Sequence, residues 1–435
     1  MTFLSLRFKV FYGWWVVASL AIIMFLSAGL GFYSLGVFIT PFEEEFGWSR
    51  GQVSVGIALA SIVSGLMGPL VGQAVERLGA RPVLAAGATG MGICFALLGL
   101  TWSLIYLYAM FAVMAAWRAG LMVVPVSRVV GNWFDRRRGL AMGVTTTGIG
   151  FGGLVMAPLS KVLISSVGWR STFLILGLLV IVVALPLALL VVRHHPSERG
   201  LRPDGVGPAD PPVEPGPGSP LRAVTAPEVW SARQAIQTRA FIFSTIAISL
   251  GFASLGAVLL HTSPYMEDRG LAPELAGLIL GFVSGMGIFG KVGAGYLADR
   301  VPPPLVLAAV FLMEAVGLTL LISTESMAGV AAFVVVFGYS MGAVVALQPL
   351  VVVHCFGVAS MATILGAMTA FSGFSSALGP VFAGVMHDLL GDYTLAYLVF
   401  IGVDCFAAAL ILLVRPPEVP VRLPAGPLES TIPVR

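Results

Sequence analysis

Twelve stretches of this 435-residue chain are apolar enough, over enough residues, to cross a lipid bilayer as helices. About 20 mainly apolar residues are needed for one crossing. The stretches fall near 11–40, 51–74, 82–101, 104–131, 139–164 and 170–192, then 239–262, 273–296, 304–323, 327–353, 359–384 and 394–414. They predict an all-α polytopic membrane protein with twelve transmembrane helices. Charge agrees: only 10% of the residues are Asp, Glu, Lys or Arg, against roughly 25% in soluble domains. So few charges do not coat a globule of this length, which excludes a soluble enzyme, a nucleic-acid binder and a disordered scaffold. The net charge of +3 is too small to name a partner. The first stretch is longer than a secretory h-region of roughly 7–15 residues, so it reads as an uncleaved first span. Cys94, Cys355 and Cys405 all lie in apolar runs without metal-ligand spacing. Neither a disulfide nor a metal or other cofactor is expected.

Most connections are short. The exception is 193–238, with nine prolines and five arginines, read as a mobile, solvent-exposed linker. It divides an N-terminal six-helix half, 1–192, from a C-terminal half, 239–414, which is followed by a tail, 415–435. With the N-terminus placed inside, 17 of the 24 basic residues fall on the cytoplasmic side. Arg50, Arg170 and Arg269 fall on the other, and Arg118, Arg128, Lys161 and Lys291 lie within spans. The positive-inside rule then predicts that both termini and the linker are cytoplasmic. The expected location is a prokaryotic-type inner (plasma) membrane.

The halves echo each other. Gly72-Gln-Ala-Val-Glu76-Arg77-Leu-Gly79-Ala-Arg81 closes the second span, and Gly295-Tyr-Leu-Ala-Asp299-Arg300 closes the eighth, 223 residues later. Pro158 and Pro380 repeat at an offset of 222. Two echoes agreeing within one residue indicate duplication of a six-span unit, a plan that places a transporter's binding site between the repeats.

The first of these loops resembles the signature of the major facilitator superfamily, with Glu76 in place of its usual Asp. The second keeps Gly295, Asp299 and Arg300, but Val301-Pro-Pro-Pro304 replaces its basic end. Four phrases resemble the monocarboxylate and oxalate/formate branches: Phe42-Glu-Glu-Glu-Phe46-Gly-Trp-Ser-Arg50, Trp133-Phe-Asp-Arg-Arg-Arg-Gly-Leu-Ala141, Gly168-Trp169-Arg170 and Tyr265-Met-Glu-Asp-Arg269-Gly270. The resemblance implies a carrier of small organic anions, coupled to protons or to exchange.

A charged residue inside a span costs at least about 2.5–3.5 kcal/mol and usually faces a cavity or a partner. Arg118 lies mid-span, where a guanidinium either grips a carboxylate by two points or braces the bundle. Lys291 lies in a glycine-rich eighth span, at the step where resembling carriers place a substrate arginine. It either binds the anion, or snorkels or meets Asp299. The acid expected one turn earlier is replaced by Gly287. Tyr33, Tyr339, Gln348, Ser372 and Ser375 are candidates for lining the cavity, or for bonds to a neighbouring helix. His261, Glu314 and Asp404 are the candidates for proton coupling. Gly72, Glu76, Arg77, Gly79, Arg81, Gly295, Asp299 and Arg300 form the expected cytoplasmic gate. With no nucleotide-binding motif the energy is expected from a gradient, which implies a secondary carrier. The resemblance implies a small monocarboxylate or related organic anion, with proton symport, and a monomer is the expected functional unit. Anion exchange, drug export through the intramembrane acids, and a transport-inactive receptor are the alternatives.

Overall fold

The computed structural model describes residues 10–205, 230–324 and 326–418. It contains helices in the expected order. In the first half α1 is Tyr12–Phe46, and α2 joins Arg50–Leu66 to Gly68–Leu78 across a 43° bend. Next come α3, Ala80–Leu100, and α4, Leu104–Trp133. Arg138–Val191 is one helical run of 54 residues, about 80 Å if straight and far longer than a bilayer core of about 30 Å. Gly168 interrupts it at φ 79° and ψ 159°, outside helical geometry. Glycine populates that region without a Cβ clash, so the run is two spans, α5 (138–167) and α6 (169–191). The second half comprises α7, Arg239–Asp268; α8, Pro273–Ala298; α9, Pro303–Ser323; α10, Met327–Phe356; α11, Met361–Leu390; and α12, Thr394–Leu412. Twelve spans result among the described residues.

Several helices outrun their apolar stretches. α1 continues through Glu43–Glu45 to Phe46, and α11 reaches Leu390. Backbone hydrogen bonding carries a helix past the hydrocarbon, where charge is tolerated. The bend in α2 has a local cause: Pro69 stands in the first turn after Met67 and has no N–H to give.

Four sequence phrases turn out to be joints. Arg170 at the start of α6 pairs with Glu45 at 2.5 Å, and the Trp169 indole N–H donates to the same carboxylate at 2.7 Å. Phe42 lies edge-on to Trp169, centroids 5.0 Å apart. Arg170 also donates to the carbonyls of Gly99 and Thr101. In the second half, Arg269 does the same for Ile322 and Thr324 at the end of α9. In the fourth phrase the backbone N–H groups of Asp135 and Arg136 donate to Asp204. These bonds tie off helix-end carbonyls and amides that hydrocarbon would leave unpaired.

The first part of the expected linker is structured. The Trp133 indole donates to the Arg193 carbonyl at 2.8 Å, and the Asn132 amide to that of His194 at 2.9 Å. The Ala80 N–H donates to Nδ1 of His194 at 3.3 Å. Beyond 206–229, which lie outside the described residues, Trp230 is buried against Phe356. Ser231 and Gln234 cap a short helix, Ala232–Ile236. Residues 419–435 of the tail also lie outside the described residues.

The halves meet at the end of the bundle that carries the chain's N-terminal helix start and the end of α12. There the repeated glycines let backbones touch. A Cβ on Gly72 would stand 2.7 Å from Cα of Thr363 on α11, and one on Gly295 would stand 2.9 Å from the Gly139 carbonyl carbon on α5. One turn further along each helix the repeated acid caps the facing helix. Glu76 accepts from the Thr363 N–H at 2.9 Å. Asp299 accepts from the N–H groups of Gly139 and Leu140 at 2.5 and 2.9 Å. Burial pushes the Asp299 carboxyl above the usual carboxylate range, while the two amides pull it down. Each cap therefore crosses from one half to the other. An apolar groove of about 650 Å³ runs along α8 and α10, with residues such as Ile279, Phe282 and Val334 in its walls and Phe151 of α5 at its edge.

Two predictions follow from these joints. Losing a helix N-cap costs about 1 kcal/mol, so Glu76→Ala with Asp299→Ala shifts the closed-to-open balance by about 2 kcal/mol, roughly thirtyfold. Double electron–electron resonance between spin labels at Leu78 and His354, at the closed end, reads this as growth of a longer-distance population. An unchanged distance distribution refutes the latch. His194, lowered to about 4 by burial first and then by His195 and Arg128, is neutral in the fold. The unfolded ring takes a proton near 6.5. Its contribution to stability is therefore complete above about pH 6.5 and is lost as pH falls toward 4. The detergent-solubilised His194→Gln variant should lose less melting temperature between pH 7 and 5 than the parent does.

Candidate substrate pathway

Arg118 and Lys291 are the buried cations of the interior, 7% and 3% exposed. Arg118 sits where α4 breaks: the helix stops at Ala119 and restarts at Val123. Its side chain crosses onto Gly31 of α1, beside Met91 of α3; a Cβ on Gly31 would stand 3.3 Å from Nε and 3.1 Å from the Met91 methyl. Gly31 lies inside a single π-helical turn, Gly29–Tyr33, a distortion often found at functional sites. Nε of Arg118 is buried without a hydrogen-bond partner.

Lys291 projects from α8 at the seam between halves. Nζ donates to the Gly287 carbonyl at 3.3 Å and lies 3.8 Å from where a Cβ of Gly150 on α5 would stand. Tyr33 of α1 packs on Gly153 of the same helix, with ring atoms about 3.0 Å from the equivalent Cβ position. Gly150 and Gly153 are three residues apart and share a helix face. α5 thus carries the Lys291 ammonium and the Tyr33 ring on one strip, one from each half. Among the described residues neither Lys291 nor Arg118 has a carboxylate partner.

The other lining candidates are distributed differently. Tyr339 packs on Gly293 of α8, with Cζ 3.1 Å from its Cβ position. That is a different face of α8 from the one holding Lys291, so the two are not brought together. Gln348 on α10 donates to Ser372 on α11 at 3.5 Å, and Ser372 donates to the Thr369 carbonyl at 3.3 Å. Both are buried and join neighbouring helices of one half. Ser375 is half-buried one turn further along α11.

His261 is held on both sides. Nε2 lies 2.9 Å from the Pro380 carbonyl, which can only accept, and Nδ1 lies 3.2 Å from the Tyr393 hydroxyl. The neutral Nε2–H tautomer satisfies both bonds. Glu314 and Asp404 are fully buried on α9 and α12, and Ser254 of α7 donates to Asp404 at 2.9 Å.

Around the closed end, Arg81 donates to the Leu189 carbonyl within its own half. Arg300 folds back on its own helix, donating to the Tyr296 carbonyl at 3.0 Å. Arg77 is exposed, and Gly79 ends α2 at φ 86°. The cross-half basic contact comes from a residue that the sequence reading did not single out for the gate. Arg128 of α4 donates to the Val358 carbonyl beyond α10 at 2.6 Å and to Asn132 at 3.0 Å. The i, i+4 pairing of Arg128 with Asn132 near a span end was its available signal.

The family model of the Major Facilitator Superfamily matches residues 21–380. Monocarboxylate transporter 11 of Homo sapiens is 30% identical over 398 residues, covering 89% of this chain and 80% of that protein. Monocarboxylate transporter 13 of Bos taurus is 26% identical over 411 residues, covering 93% and 89%. Among solved structures, the human organic anion transporter MFSD10 superposes with a TM-score of 0.66 over 92% of this chain and 99% of that one, at 14% identity. That likeness shows the fold. With twelve spans, two joined halves and a superfamily match across most of its length, the chain belongs to the Major Facilitator Superfamily: it is a multi-pass membrane transporter, not an enzyme.

Proposed function

We propose that the chain carries a small monocarboxylate or related organic anion across the inner (plasma) membrane by alternating access, with proton symport. The observation that carries this reading is the pair of buried cations, Arg118 and Lys291, with no carboxylate partner among the described residues. Each costs several kcal/mol to hold in hydrocarbon surroundings, and an entering carboxylate relieves that cost. The relatives are named for monocarboxylates, which supports the same class. Basic residues favour cytoplasmic termini. The closed end is then cytoplasmic. Drug export through Glu314 or Asp404 is disfavoured by their complete burial away from the seam.

In this reading the anion enters from the end opposite the Glu76 and Asp299 caps and binds between Arg118, Lys291 and Tyr33. Its charge draws the halves together there, while the Glu76 and Asp299 caps and the Arg128 contact release at the other end. Lys291 attracts as a compact charge, and Arg118 offers the two-point fork. His261, with both nitrogens satisfied, acts as a structural pin between α7, α11 and Tyr393.

Purified protein in liposomes should take up radiolabelled lactate faster under an inward proton gradient. Lys291→Ala and Arg118→Ala should each lower uptake at least about tenfold, the loss of one charge-assisted bond, and Lys291→Arg should restore most of it. Folded protein that transports lactate equally well with both residues removed would sink the binding assignment. His261→Gln should cost about 1–2 kcal/mol of stability in a thermal melt yet keep the gradient response; loss of that response with an unchanged melt would return His261 to the proton path.

A further inference from the structure

Buried acids, unlike buried cations, cluster away from the seam. Glu314 lies near the middle of the 21-residue α9, and Asp404 near the middle of the 19-residue α12. Both are 0% exposed. Asp404 Oδ2 takes the Ser254 hydroxyl, while Asp404 Oδ1 and both oxygens of Glu314 have no hydrogen-bond partner. α9 and α12 pack along one another, with one buried acid near the middle of each.

The surrounding elements offer no counter-charge. α9 and α12 contain no Lys, Arg or His. Cys405 beside Asp404 is exposed, and Tyr397 lies two turns away on α12. α10 contributes only His354, near its end, and α11 only His387 and Asp388, at its far end. On α7, Arg239 is about four turns from Ser254, and His261 about two turns from it in the other direction. On α8, Lys291 faces α5.

Two carboxylates ionised together at this depth would repel each other, each already costing at least about 2.5–3.5 kcal/mol. One proton changes the chemistry: a protonated carboxyl donates to its ionised neighbour through a short O–H···O⁻ bond. Like-charged carboxyls sharing a site retain such a proton strongly. A multivalent metal is disfavoured, since no group of three candidate ligands occurs among the described residues.

We propose that Glu314 and Asp404 form one proton-binding site, and that the proton shared between them is the one that accompanies the anion. The second clause rests on the symport reading. Ser254 links the site to α7, which packs on α11, the helix capped by Glu76. The Glu76 cap at the start of α11 and the Ser254 bond to Asp404 are thus joined through the packed pair α7 and α11. The Ser254 bond stabilises the ionised form of Asp404, so breaking or making it changes how tightly the proton is held. A proton taken from water on one side and released on the other, with one monocarboxylate, moves no net charge.

The test uses the full chain in liposomes with lactate, comparing wild type, Glu314→Gln, Asp404→Asn, the double variant and Ser254→Ala. Infrared spectra should show the carbonyl stretch of a buried protonated carboxyl in the wild type and its loss in the double variant. Its absence from the wild type overturns the proton site. The ratio of gradient-driven uptake to counterflow should fall about tenfold in the acid variants; an unchanged ratio in the double variant overturns coupling. Ser254→Ala keeps both acids and should shift the pH of half-maximal stimulation, so the idea stays testable where an acid variant fails to fold. No shift in a folded Ser254→Ala counts against it. Stimulation that is lost when choline replaces sodium assigns the coupling to sodium and overturns the proton. A wild type that exchanges lactate without any gradient response, while keeping the infrared band, overturns symport and coupling but not proton binding.

Discussion

Two helix N-termini at the closed end, those of α5 and α11, are capped by carboxylates from the opposite half of the chain. A helix start leaves amide N–H groups without internal partners, and its dipole favours an anion there. Within one half such a cap is permanent. Shared between halves, it becomes a contact that exists in one arrangement of the carrier and must be replaced in the other. The glycines one turn before each acid are part of the same device. Without them the backbones of α2 and α11, or of α5 and α8, stand too far apart for Glu76 or Asp299 to reach. Each cap is worth only about 1 kcal/mol, a scale suited to a contact that has to break in every cycle.

The binding side is built on the opposite principle. At the closed end two carboxylates meet backbone amides, whereas in the interior Arg118 and Lys291 are buried with no carboxylate partner among the described residues. Arg118 stays charged under any ordinary condition, and the break in α4 with the π turn in α1 gives its long side chain room. Lys291 reaches only a carbonyl of its own helix. An anion between them supplies what the fold withholds, which is why substrate binding and the meeting of the halves belong to one event.

Much of this was legible in the chain. Apolar stretch length gave the spans, and Gly168 separates α5 from α6 where the sequence places a loop. The Gly72–Glu76 and Gly295–Asp299 echo located the closing surface. Capping was not legible, because a carboxylate meeting a backbone amide leaves no mark at the amide's position. The paired phrases containing Glu45 and Arg170 also looked independent, since 125 residues separate them and contact order is not written locally. Tyr339 shows the limit of choosing lining residues by helix alone. It lies on a pathway helix, but a rotation of roughly 100° per residue puts it against Gly293, on another face from Lys291. The opening residues of the linker likewise read as solvent-exposed from their prolines and arginines. Their backbone carbonyls are in fact partners for Trp133 and Asn132.

Gly287 connects these threads. The resemblance to monocarboxylate carriers leads one to expect an acid one turn before Lys291, next to the substrate cation. Here that position is a glycine against which α10 packs; a Cβ would stand 3.3 Å from the Met341 methyl and 3.4 Å from the Gly338 carbonyl. α8 packs closely on α10 at that step, and with glycine there Lys291 has no carboxylate partner among the described residues. A carrier built this way has to keep any titratable acid elsewhere. In the C-terminal half, the mid-depth carboxyls available are Glu314 and Asp404, on the far side of α7 from the seam. Separating the cation from the acids makes any communication between them depend on helix movement rather than on direct contact, and Ser254 is the polar group that ties Asp404 to α7.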